Sequence, residues 1–337
     1  MSREHRPGAV FWIDHYVVPT NDLPKSLDFI KNILGGVFYH QLPLTTKARQ
    51  RRVPIGVFSK VGHYHSVGSF LQDKMLPPTQ GLGKGTPRHG YFVRAGDIDK
   101  HLRRLDQHNV PHTDPIKTSV EGEEGTAIYF EDPDGNQYEF WAPRQMPAGA
   151  MEADNPTRIG RISHVVLESR DLSRTAEFYG RFLGVDPIKS ADVPKDKLAL
   201  RLVGGGRIIY QQVDELDERT GGHNVWYGHH RALTVMNDEF MTAYKGLWDN
   251  LPESEYVPFS SAEGAPVDEK TLPPRTELHG QIALGLRKSA HARGTYFYDW
   301  DNNAFHFVGG TPLDSDMTHY DYGYDDTNTP FGEKAQS

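Results

Sequence analysis

Residues Ile128-Tyr129-Phe130-Glu131-Asp132-Pro133-Asp134-Gly135-Asn136-Gln137-Tyr138-Glu139-Phe140-Trp141 read as two strands joined by a tight turn. Asp-Pro-Asp-Gly supplies a preset φ at proline and a residue tolerant of positive φ at glycine. On the second strand, Glu139 stands among Tyr138, Phe140 and Trp141. A carboxylate among large aromatics must be solvated, paired or bound to a cation, because burying it alone is costly. Period-two alternation puts Gln137, Glu139 and Trp141 on one strand face, with Tyr129 on the neighbouring strand. This placement suits a metal-binding carboxylate with a phenol close by. The alternative is a surface hairpin with an exposed glutamate.

The same pattern returns later in the chain. Tyr296-Phe297-Tyr298-Asp299-Trp300-Asp301-Asn302-Asn303-Ala304-Phe305-His306-Phe307 repeats the hairpin, with His306 in the place of Glu139. Asp14-His15-Tyr16-Val17-Val18 is echoed by Ser163-His164-Val165-Val166-Leu167, and the same offset carries Asp22 onto Asp171, Phe29 onto Phe178 and Gly35 onto Gly184. Each copy reads as a strand, an N-cap aspartate, an amphipathic helix and a glycine stop. Arg88-His89-Gly90-Tyr91 opens a further unit, and aligning His89 with His230 gives its counterpart. The chain therefore divides into four units in two halves. Residues 1–148 hold modules 1 and 2 as the expected catalytic domain, and residues 158–310 hold modules 3 and 4 as a scaffold. Between them, Ala142 to Arg158 contains three prolines and small polar residues, as a linker should. A Pro-rich insertion from about Leu251 to Arg275 lengthens the last unit, and 311–337 reads as a surface-wrapping or disordered tail.

With 337 residues the chain suits two domains. It has no cysteine and 17 histidines, so any metal must be held by His, Asp, Glu or backbone oxygen. A net charge of −8 argues against a nucleic-acid partner. The start, Met-Ser-Arg-Glu-His-Arg-Pro, carries no apolar run, and no later segment approaches spanning length. A cytoplasmic protein without a membrane partner is expected. His15, His89 and Glu139 lie on three strands of the first half, and two imidazoles with one carboxylate can hold a metal while leaving positions for reactants.

These repeats and residues resemble the vicinal oxygen chelate superfamily, which includes glyoxalase I, fosfomycin and bleomycin resistance proteins, and extradiol ring-cleaving dioxygenases. The resemblance spans about residues 10 to 310. It implies an α+β fold of four βαβββ modules paired into two vicinal-oxygen-chelate domains, and four modules in one chain look most like the extradiol enzymes. The resemblance further implies His15, His89 and Glu139 as ligands of Fe(2+), with Mn(2+) or another divalent metal as the alternative. His65, in Gly62-His63-Tyr64-His65-Ser66, falls on the family's acid–base histidine, and Tyr129 on a tyrosine near the bound diol. The implied reaction cleaves the ring of a catechol or related vicinal diol with O2, in a homo-oligomer. His164, His230 and His306 form a possible second or vestigial metal site. Two departures stand against the pattern: no histidine precedes Ile128 in Val120 to Gly125, and the first half matches better than the second. A glyoxalase-type isomerase or lyase, or a metal-free binding protein, are the rivals. If module 1 packs on module 4, His89 and Glu139 would meet His164 instead of His15.

Three other motifs read more simply. Gln80-Gly81-Leu82-Gly83-Lys84-Gly85-Thr86 lacks the strand and spacing of a phosphate loop and reads as a module linker. Tyr320-Asp321-Tyr322-Gly323-Tyr324-Asp325-Asp326 lacks a calcium loop's twelve-position pattern. Gly204-Gly205-Gly206 reads as a strand-to-strand turn.

Overall fold

The computed structural model describes residues 10–42, 56–62, 65–72, 80–151, 155–189, 193–217, 229–235, 294–299, 301 and 303–309. For 39–42, 182, 294–298, 304 and 306–309 it describes the backbone alone. The Pro-rich insertion and the tail from 311 lie outside the described residues. Module 1 is β1 (Val10–Thr20), α1 (Leu23–Leu34), β2 (Val37–Leu42), β3 (Gly56–Lys60) and β4 (Ser66–Leu71). Module 2 is β5 (Arg88–Val93), α2 (Ile98–Gln107), β6 (Ile116–Val120), β7 (Glu123–Glu131) and β8 (Gln137–Pro143). Module 3 supplies β9 (Ile159–Ser169), α3 (Leu172–Phe182), β10 (Lys197–Arg201) and β11 (Arg207–Gln212). Module 4 supplies β12 (His230–Val235), β13 (Gly294–Tyr298) and β14 (Ala304–Gly309).

Local signals act as expected at the helix ends. Asp22 caps α1 by accepting from the Lys25 N–H, and Asp171 caps α3 by accepting from Ser173 and Arg174. Gly35, in a left-handed conformation, ends α1. The hairpin joins β7 to β8, with Tyr129 paired directly to Glu139 and Gly135 at φ 75° in the turn. Asp132 holds that turn, accepting from the backbone N–H groups of Asp134 and Asn136 and from the Asn136 side chain. Gly204 to Gly206 form the turn between β10 and β11.

The modules do not pair as the halves of the chain suggest. One seven-stranded sheet runs β13-β14-β12-β1-β4-β3-β2, and the other β10-β11-β9-β5-β8-β7-β6. The first sheet thus joins modules 1 and 4, and the second joins modules 2 and 3, correcting the expected domains 1–148 and 158–310. In each sheet the opening strands of two modules meet antiparallel at the centre: β1 with β12, and β5 with β9. The halves remain tied across the sheets. The Asn136 amide of the module 2 hairpin donates to the Pro19 carbonyl at the end of β1, and the Asn155 amide of the linker donates to the Leu34 carbonyl of α1.

The two sheets face each other through their inner surfaces, with α1, α2 and α3 contributing to the same core. Tyr16, on β1, hydrogen-bonds Tyr91, on β5, hydroxyl to hydroxyl at 2.6 Å. Phe29 of α1 lies 5.2 Å from the Tyr138 ring of β8, and His101 of α2 lies 4.6 Å from Phe140.

Two measurements follow from this packing. Since the chain lacks cysteine, Val10→Cys with Val235→Cys should form a disulfide, because directly paired antiparallel residues sit within its Cα range. A Val10→Cys, Val93→Cys protein should form none, and the reverse result would restore the pairing of modules 1 and 2. Burial, followed by the nearby Arg104 charge, pushes His101 down to about 4. The folded protein therefore holds it neutral, whereas the unfolded chain titrates near the ordinary histidine value of about 6.5. The stability this gives is complete above the unfolded value and is lost as pH falls towards the folded one. His101→Gln should flatten the melting temperature between those limits, measured by calorimetry.

Candidate functional site

Each sheet has an outer face, opposite the shared core, and strand register decides which side chains reach it. On the first sheet one row crosses four strands: Ser66, His15, Ala232 and the backbone position of His306. His230, two residues before Ala232, lies on the same face, with its ring 6.0 Å from that of His15. Phe58 and Phe70 stand beside them, at 5.6 Å from His15 and 6.1 Å from His230. The His15 Nδ1 lies 2.7 Å from a carboxylate oxygen of buried Asp14. An ionised carboxylate only accepts, so Nδ1 carries the proton and Nε2 presents the lone pair that a metal ligand needs.

On the second sheet the matching row is Arg207, His164, Gly90 and Glu139. Arg88, two residues before Gly90, stands where His230 stands on the first sheet: it pairs with Val166 as His230 pairs with Val17. His164 Nε2 and Arg88 Nε both donate to Glu139 Oε2, each at 3.1 Å. Burial raises the Glu139 carboxyl, but the charge and hydrogen bond of His164, then those of Arg88, outweigh it and hold the group below the usual carboxylate range. Tyr129 shares this face, with the Arg88 guanidinium 5.1 Å from its ring centre. Burial, then the Glu139 charge, pushes the Tyr129 phenol up to about 12. Arg207 pairs with Glu123, and a cavity of about 1670 Å³ beside it is also lined by Glu121, Arg201 and Lys189.

The structure therefore separates the expected ligands. His15 lies on the outer face of the first sheet and Glu139 on the outer face of the second. His89 reaches neither, because its ring stacks on Tyr16 between the sheets at 3.7 Å. Burial, with the charges of Arg231 and His164, pushes His89 well below the usual histidine value. His164, met by Glu139, stands on a different sheet from His230 and His306, so the second expected triad is also divided. His65 is on the inner side as well, 5.7 Å from the Tyr91 ring, and not above His15. Tyr129 is beside Glu139 as expected.

The cause is a slip of one residue. Register matches Arg88 with His230, and His89 with Arg231, so aligning the two histidines assigned His89 to the wrong face. The signal available in the sequence was the small residue pair Gly90 and Ala232, followed by Tyr91 and Leu233, then Val93 and Val235. Arg88, missed as a site residue, follows from the same correction. Among the described residues, no three His, Asp or Glu side chains converge to hold an ion. On the first sheet two imidazoles meet, and the His306 side chain lies outside the described residues.

Known proteins share this framework. Residues 12–140 match the model of the Glyoxalase/Bleomycin resistance protein/Dioxygenase superfamily. Biphenyl-2,3-diol 1,2-dioxygenase 3 of Rhodococcus globerulus is 30% identical over 131 residues, a match spanning 37% of this chain and 60% of that relative. A putative dioxygenase structure from Bacillus subtilis superposes with a TM-score of 0.62 at 16% identity, over 97% of this chain and 92% of the other. Glyoxalase I from Zea mays superposes with a TM-score of 0.55 at 14% identity, over 88% and 92%. At these identities the structures establish the shared vicinal oxygen chelate fold and not a shared reaction.

Gly90 leaves no room for a side chain on this face. A Cβ there would lie 2.4 Å from the His164 ring, so Gly90→Ala must displace that ring from Glu139. The expected cost is about 1–3 kcal/mol in denaturant unfolding, in the range of overpacked sites. An unchanged unfolding midpoint would show that His164 moves freely.

Proposed function

We propose that the protein is a divalent-metal-dependent dioxygenase of the extradiol type, acting on a catechol or related vicinal diol at the outer face of the first sheet. The observation that carries this reading is the pair His15 and His230, with His15 oriented by Asp14. Imidazole donors suit a borderline ion such as Fe(2+) or Mn(2+), and His306, in register with Ala232, is the proposed third ligand. When bound, such an ion lowers the pKa of a coordinated diol and brings diol and oxygen together. Asp14 fixes the tautomer and the ring orientation of His15. Phe58 and Phe70 give the face aromatic walls that exclude water and can pack against a planar ring. The match of residues 12–140 to the model of a superfamily that includes dioxygenases, and the partial match to a biphenyl-diol dioxygenase, support the choice.

Protein purified without oxygen and loaded with Fe(2+) should take up oxygen with a member of a catechol panel. His15→Ala and His230→Ala should each abolish that uptake and the bound iron, while Asp14→Asn should weaken metal binding about 10–100-fold, as for other groups that orient a ligand. Full oxygen uptake in His230→Ala would refute this site, and turnover of a substrate without oxygen uptake would favour an isomerase or lyase.

A further inference from the structure

The second sheet repeats the plan of the first yet does not fit a metal. Its row holds His164 and Glu139, and its counterpart of His230 is Arg88. We infer that Arg88 is the resident cation of this face, its guanidinium standing in for the metal and locking Glu139 to His164. Three observations carry the inference. First, His164 Nε2 and Glu139 Oε2 are 3.1 Å apart. Two ligands at right angles, each about 2.1 Å from one ion, would be separated by about 3 Å. The donors are thus already at ligand spacing, but a shared proton and Arg88 Nε occupy the same carboxylate oxygen.

Second, Arg88 is held for this task. Its NH1 donates to the carbonyls of Gly83, at 2.9 Å, and Gly85, at 3.3 Å. Those glycines belong to the linker run Gln80 to Thr86, and their bareness has a steric cause. A Cβ on Gly83, whose φ is 77°, would lie 2.6 Å from the Tyr129 ring, and one on Gly85 would lie 2.9 Å from Gln137. The loop can therefore press its carbonyls onto a cation. Third, the second oxygen of Glu139 is buried and has no hydrogen-bond partner among the described residues, as a carboxylate shaped for another ligand would be. No ion on the first sheet is needed for this inference.

The test is metal stoichiometry. Wild type, Arg88→His and Glu139→Gln proteins, each shown folded by its melting transition, would be dialysed against Co(2+) and their bound cobalt counted by mass spectrometry. Arg88→His restores a His, His and carboxylate set, and it should bind one more cobalt per chain than wild type. Glu139→Gln should bind as much as wild type. No gain in Arg88→His, or a cobalt lost in Glu139→Gln, would overturn the inference. If wild type binds none while Arg88→His gains one, the first-sheet reading fails and the role of Arg88 stands. Should Arg88→His not fold, Glu139→Gln alone decides.

Discussion

The antiparallel contact between the opening strands of two modules governs everything else in this chain. A strand exposes alternate side chains to opposite faces, so the partner and register chosen there decide which residues can meet. Because β1 takes β12 and β5 takes β9, each outer face draws on both halves of the chain. One face collects imidazoles and phenylalanines, and the other collects a carboxylate, an imidazole and two arginines.

The space between the sheets also holds polar groups. Tyr16, Tyr91 and Tyr138 sit there with His89, and Asp132 accepts from Tyr138 at the edge of the hairpin. Across the core, Tyr179 and Tyr210 join hydroxyls, and Tyr210 donates to Asp299. Arg231 lies among them, fully buried, with no hydrogen-bond partner for its guanidinium among the described residues. Burial pushes Arg231 down to about 10, against the pull of Tyr210, Asp299 and Tyr179, so it remains charged at neutral pH. Such a charge depends on nearby opposite charge, and Asp299, itself raised to about 6 by burial, is ionised over much of that range.

Local structure and module count were legible in the sequence because both are written in short-range chemistry. Asp22, Asp171 and Gly35 act within one helical turn, and Asp132 to Gly135 close a hairpin by their own backbone bonds. Neighbouring residues on one hairpin were equally readable, as Tyr129 beside Glu139 shows. Pairing between modules was not, because repeats of similar pattern can match in more than one order. His89 failed for a narrower reason: a histidine one place away from its true counterpart gave the better match of letters, while the small and apolar residues after it carried the register. The Arg88 contact with Glu139 could not be read without that register.

Two faces built on one plan, one suited to a metal and one closed by an arginine, form the central claim. Anomalous diffraction from crystals of the unmodified protein loaded with Mn(2+) tests it most directly. The account predicts one peak between His15 and His230 on the first sheet, with Arg88 still bound to Glu139. A peak between His164 and Glu139, with the guanidinium displaced, would contradict it.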